Sequence, residues 1–247
     1  MRTKWACPAV AASIVRNPAG HRPVHRTGRP HIHYIWTMLT LYGDALWESP
    51  YVCSVFVALR EKALAFQTVE LDLDRGEQRE PRFAERTITA KVPAIEHGGF
   101  WLTESLAILE YLEERFPPPE HAPILPTAVE DRARARQLLG WLRFGTNHLR
   151  AERPTSSIFF APVRTPLSAR ARADADALIA FAERLLRDGA TSVFSGWTIC
   201  DTELALALQR LLVNGDDVPA RLRAYAEANW ARPSMREYVE HERPTRG

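Results

Sequence analysis

The stretch Leu39-Thr40-Leu41-Tyr42-Gly43, followed after a short loop by Ser49-Pro50-Tyr51-Val52-Cys53, decides how the chain begins to fold. The first five residues have the length and alternation of a short strand. Pro50 then opens a run in which Val52, Val55, Phe56 and Leu59 recur at helical spacing. From Phe66 to Leu73, Val69, Leu71 and Leu73 alternate with Glu70 and Asp72, the pattern of a half-buried strand. Strand, helix and strand in this order make a βαβ unit.

Downstream, a polar connector runs from Asp74 to Lys91. Two short apolar segments follow, Val92 to Glu96 and Phe100 to Leu102, and the Gly98-Gly99 pair between them favours a tight hairpin. Glu104 and Ser105 introduce Leu106, Leu109, Leu112 and Phe116, an amphipathic helix able to close one face of a sheet. The order βαβ, connector, ββα is that of a thioredoxin-like domain, although spacing alone also permits other α/β folds. Pro117 to Thr127 holds five prolines in eleven residues, which excludes helix and central strand and marks a linker. Beyond it the patterns are helical, at about Glu130–Leu149, Ala169–Arg187, Asp201–Val213 and Ala220–Trp230, with Gly189 placed to cap the second. The expected division is an α/β domain at 38–116, a linker at 117–127 and an all-helical domain at 128–247.

Upstream, residues 1–37 carry six Lys or Arg, no carboxylate and no periodicity, the composition of a disordered basic extension. The segment reads as a targeting sequence, a basic arm or a misassigned start, and because a clean strand begins directly after Met38, the favoured expectation is that Met38 is the true start. Removing those six cations from a formal charge of +2 leaves the body at −4, without the clustered basic face of a nucleic-acid binder. Three cysteines, none in C-x-x-C spacing, indicate neither a disulfide framework nor a zinc site, which fits a reducing, cytoplasmic setting. No apolar run approaches the ~18 residues a membrane span needs.

Chemistry can sit at few places. Ser49-Pro50 is a favoured N-cap and first-turn pair, whose helix end offers free N–H groups and positive partial charge to an anion. Taken alone, Ser49 is read as a cap, Val92-Pro93 as a strand start, and Ser105 as an N-cap beside a solvated Glu104. Cys53, one turn beyond Ser49, is either a redox thiol or a small packed residue, with packing favoured. Thr198-Ile199-Cys200-Asp201 has the form of a capping box. Trp141, Arg143 and Arg153 could border a substrate site or simply pack.

Ser49-Pro50-Tyr51 after a first strand resembles the C-P-Y-C signature of glutaredoxins with Ser for the first Cys. The run from Glu104 to Leu112 resembles the matching segment of glutathione transferases. From Leu39 onward the chain resembles a bacterial glutathione S-transferase of the serine type, close to the branch with glutathione-dependent peroxidase or disulfide-reductase activity. This implies an α+β thioredoxin-like domain followed by an all-α glutathione-transferase C-terminal domain. It also implies glutathione as co-substrate, no metal, a small electrophile, peroxide or disulfide as second substrate, and a homodimer. By the same resemblance, the Ser49 hydroxyl donates to the glutathione sulfur, and Val92, before a cis Pro93, pairs its backbone with the cysteinyl part. Lys91 would lie near a carboxylate, and Glu104 and Ser105 would hold the γ-glutamyl end. Thr87 to Lys91 departs from the Asn-Pro that many relatives carry before the cis-proline, so contacts from that loop do not transfer. A non-catalytic protein on the same scaffold, or an isomerase or dehalogenase, stands as the alternative.

Overall fold

The structure is a computed structural model that describes residues 38–244; the basic segment expected at 1–37 lies outside them. Strand β1 (Leu39–Asp44) pairs in parallel with β2 (Phe66–Leu71) and antiparallel with β3 (Ala94–His97), which pairs antiparallel with β4 (Phe100–Thr103). The sheet order is β2-β1-β3-β4. Helix α1 (Pro50–Glu61) joins the parallel strands. Its approach to β1 is close enough to require Gly43, where a Cβ would meet Val52 Cγ1 at 2.9 Å. Leu39 and Leu41 are buried in the main core with the apolar residues of α1.

The polar connector contains more structure than its composition suggested: a 3-10 turn at Glu77–Arg79 and a short helix, α2 (Pro81–Ala84). Phe83 of α2 packs with Leu71 and Ala94, and with Tyr42 and Trp101 beside them, as a second and smaller apolar cluster. One aromatic anchor in a four-residue helix leaves no period to read. β2 ends two residues earlier than expected because Asp72 Oδ1 accepts the N–H groups of Asp74 and Arg75 and turns the chain. β3 begins at Ala94 and not at Val92, since Pro93 has no N–H for the ladder.

Helix α3 (Ser105–Arg115) follows the hairpin, and the chain then enters the proline-rich segment. That segment is anchored. Ile124 and Leu125 are fully buried, and the Ile124 N–H donates to Glu113 Oε2 at 3.0 Å. Glu113 in turn pairs with buried Lys62 at 2.8 Å, and Lys62 Nζ caps the carbonyls of Phe116 and Ala122. The helical half comprises α4 (Val129–Phe144), α5 (Asn147–Glu152), α6 (Ser156–Phe159), α7 (Ala169–Leu185), α8 (Ile199–Leu212), α9 (Ala220–Trp230) and α10 (Pro233–Val239).

The helix expected to run to Leu149 breaks at Gly145, whose missing side chain admits the Trp141 indole; a Cβ there would lie 2.8 Å from the ring. Helix α7 stops at Leu185 with Leu186 extended, so Gly189, at φ +72°, serves the turn beyond instead of the cap. Helices α6 and α10 are too short to have shown a period. The capping box at Thr198 and Asp201 forms, and Asp201 Oδ1 also takes the Tyr225 hydroxyl at 2.8 Å. Helix α1 packs against α3, α8 and α10, so the sheet and the helical half share one core.

Candidate active site

Tyr42 of β1 is aligned with Ala94 of β3, and Ala94 with Thr103 of β4. The loop after β1, the Val92-Pro93 bond before β3 and the turn after β4 therefore all leave from one end of the sheet. That register puts the segments that carry Ser49, Val92, Pro93, Glu104 and Ser105 at the same end of the sheet. The Val92-Pro93 bond is cis, and the Val92 backbone lies outside the β3 ladder, free of sheet pairing. Lys91 sits just upstream and is exposed.

Ser49 caps α1: its Oγ accepts the Val52 N–H at 3.3 Å. A hydroxyl has one donor and two acceptor sites, so capping leaves its proton available. The loop that delivers Ser49 is fixed from both sides. Asp44, at the end of β1, accepts the Glu48 N–H at 2.8 Å and the Ser49 N–H at 3.3 Å. Burial holds the Asp44 carboxyl above its ordinary value, an effect these N–H bonds only partly oppose. Trp47, at φ 50°, donates its indole N–H to Glu70 at 2.7 Å and stacks on His241 with ring centroids 3.7 Å apart. The Tyr238 hydroxyl donates to the Ser49 carbonyl at 3.0 Å, and Arg243 donates to the Trp47 carbonyl at 2.9 Å. None of Asp44, Tyr238 and Arg243 was visible as a site residue. A lone Asp at a strand end is commonplace, and no sequence period links residues 238–243 to a loop almost 200 positions earlier.

Ser105 is the first residue of α3, not its cap; Glu104 takes the cap position at φ 68°, a region that L-residues seldom occupy. Ser105 is buried and its Oγ accepts from Arg143 Nη2 at 3.0 Å, which again leaves the hydroxyl proton free. Arg143 also grips Glu203 through both guanidinium nitrogens at 2.5 and 2.7 Å, and Ser54 donates to the same carboxylate at 2.7 Å. A buried network thus joins α1, the start of α3, α4 and α8. Arg143 lines a cleft with Pro50 and Tyr51, whereas Arg153 is paired with Asp216 at 2.7 Å and Trp141 stacks on Phe181.

Cys53 is fully buried, with Sγ 3.6 Å from Met235 Sδ, and burial together with the Glu203 charge pushes its thiol far above the ordinary range. It packs; a thiol held neutral in the core is a poor nucleophile. Among the described residues, no group of three or more His, Cys, Asp or Glu is placed to hold a metal ion, and no helix is long and apolar enough to cross a membrane.

A four-stranded mixed sheet with a cis-proline before β3, followed by a helical half packed on α1, defines a thioredoxin-like domain carrying a helical partner. Residues 38–114 match the family model described as glutathione S-transferase, N-terminal domain, and residues 128–242 that described as glutathione S-transferase, C-terminal domain. A solved glutathione transferase homolog from Burkholderia BGR1, with bound glutathione, is 38% identical, with TM-score 0.69, over 82% of this chain and 96% of that one. The chain belongs to the glutathione S-transferase family. Rat glutathione S-transferase theta-1 is 35% identical over 105 residues, and the chain spans only 42% of that curated relative's length. A solved maleylacetoacetate isomerase from Methylobacterium extorquens AM1, with bound malonate and glutathione, is 28% identical over 83% of this chain and 98% of that one, with TM-score 0.63.

Proposed function

We propose that the protein activates the thiol of glutathione, with Ser49 as the hydrogen-bond donor to the sulfur. The observation that carries this reading is the register Tyr42–Ala94–Thr103, which gathers the Ser49 loop, Val92-Pro93 and Glu104-Ser105 at one end of the sheet. Glutathione would lie extended across that end. Its cysteinyl backbone would pair with the unladdered Val92, and its α-carboxylate would meet the Ser105 hydroxyl and the N-terminus of α3. Glu104 would take the ammonium, and Lys91 is exposed near enough to the site to serve a carboxylate.

A free thiol titrates near ~8.5, so only a few per cent is ionised at neutral pH. Lowering that value by ~2 corresponds to ~2.7 kcal/mol of differential stabilisation, within reach of a hydroxyl donor at a helix N-terminus. Ser49 stabilises the thiolate and does not itself attack. The thiolate then attacks a small electrophile, or reduces a peroxide or disulfide as in the serine-type branch the motif resembles. We further propose a homodimer working in the cytoplasm. The isomerase reading draws its support from the glutathione-bearing isomerase neighbour.

Retention on immobilised glutathione, followed by turnover of cumene hydroperoxide and of an electrophilic nitroarene, tests the reading. Retention with turnover is the expected result. Neither retention nor turnover would leave a non-catalytic scaffold.

A further inference from the structure

Four arginines of the helical half, Arg143, Arg150, Arg153 and Arg210, lie close together, and they divide sharply by partner. Arg143 holds Glu203 and Arg153 holds Asp216, each through two nitrogens. Arg150 and Arg210 hold no carboxylate among the described residues. Arg150 donates to the Arg143 carbonyl at 2.5 Å and to the Tyr51 hydroxyl at 2.6 Å, and Arg210 donates to the Arg153 carbonyl. Arg210 is only 4% exposed, so its charge is largely removed from water with no carboxylate among the described residues in compensation, a costly arrangement. Burial and the neighbouring Arg150 charge bring its guanidinium down to about 10.

Both cations line one cleft with Tyr51, Arg143, Thr202 and Glu203. Glu203 is already taken by Arg143 and Ser54, so the cleft keeps an excess of two positive charges. Thr202 adds an independent sign. It is 2% exposed, lines the same cleft, and its buried Oγ1 has no hydrogen-bond partner, although buried hydroxyls are nearly always paired. The Tyr51 hydroxyl accepts from Arg150, which leaves its own proton to donate. Two arginines and two hydroxyl-bearing residues therefore line a space of about 40 Å³, room for roughly three water-sized groups and so for a carboxylate.

We propose that this cleft is the anion subsite of the second substrate, and that the preferred substrate is a small electrophile bearing a carboxylate. The inference rests on the glutathione reading only in assigning the cleft to a second substrate. Pro50 and Tyr51 of the cleft immediately follow Ser49, so a carboxylate held by Arg150 and Arg210 tethers the electrophile beside the thiolate.

The test compares 4-chloro-3-nitrobenzoate with its methyl ester as substrates, and benzoate with benzamide as thermal stabilisers, in the wild type, Arg150→Gln and Arg210→Gln. With each kcat/KM divided by the uncatalysed rate with glutathione, since the ester is the more activated arene, wild type should prefer the acid over the ester by about tenfold, the scale of one charge-assisted hydrogen bond, and be stabilised by benzoate but not by benzamide. Both preferences should fall several-fold in Arg150→Gln, Arg210 still supplying one cation to the cleft. Arg210 is buried and its variant could unfold, so Arg150→Gln, whose side chain is partly exposed, decides the matter. Equal wild-type values for acid and ester after division by the uncatalysed rates, or an acid preference undiminished in Arg150→Gln, would overturn the proposal. So would a loss of glutathione affinity in Arg150→Gln with the acid preference intact, since the cations would then serve a carboxylate of glutathione. Calorimetric titration of wild type with glutathione separates the two readings: selective benzoate binding without glutathione binding supports an anion site in the cleft but overturns its assignment to a second substrate.

Discussion

Ser49 combines two duties that a single hydroxyl can serve at once, accepting the Val52 N–H as a helix cap while keeping a proton to donate. Ser105 repeats the arrangement with Arg143 as its donor. Asp44 holds the Glu48 and Ser49 N–H groups and so anchors the loop that carries Ser49. Replacing Asp44 with Ala leaves those donors without their partner and frees the loop. Stability should fall by about 1–3 kcal/mol in urea denaturation, and kcat/KM with glutathione should fall by about tenfold or more, since a misplaced donor loses much of its value. Unaltered kinetics in a stable Asp44→Ala protein would show that the loop needs no such tether.

At the scale of elements, the buried network of Ser54, Arg143, Glu203 and Ser105 ties α1, α3, α4 and α8 around the start of the site. Arg143→Met would strand Glu203 in the core and should cost about 3–5 kcal/mol. Adding Glu203→Leu removes the stranded charge and should recover most of that loss in the same denaturant titration; no recovery would mean that the arginine matters chiefly through packing. The elements themselves were legible where they were long or bounded by a specific residue: β1, α1, α3, α8 with its capping box, and α9. Legibility failed where one residue decides. Gly145 ends α4 through its fit to Trp141, and Phe83 organises a four-residue helix in a polar stretch. The candidate site divides in the same way. Ser49, Val92-Pro93 and Glu104-Ser105 stood out through their family resemblance, whereas Asp44, Arg150, Thr202, Glu203, Arg210 and Tyr238 acquire meaning only from contacts made across the fold, which no local pattern encodes.

Over the whole molecule, the C-terminal segment returns to the sheet half and clasps the Ser49 loop through Tyr238, His241 and Arg243. Burial holds His241 below the usual 6.5, opposed by Glu70 at 3.8 Å, with Arg243 and Glu242 acting in opposite senses. A histidine depressed in the folded state contributes stability that is complete above its unfolded value and is lost as the pH falls through the lowered one. Hydrogen exchange in residues 45–49 should therefore quicken as the pH drops from 7 to 5, after correction for intrinsic rates, and His241→Phe should flatten that dependence. An unchanged pH response in the variant would remove His241 from the clasp. The proposed contact between the Ser49 hydroxyl and the glutathione sulfur is tested directly by an ultraviolet titration of the thiolate of glutathione bound to the wild type and to Ser49→Ala. The wild type should bring the thiol about 2 below its free value near ~8.5, and Ser49→Ala, weakened by only about 1 kcal/mol as a cap, should return it toward that value. Glutathione bound by Ser49→Ala with its thiol as acidic as in the wild type would contradict the account.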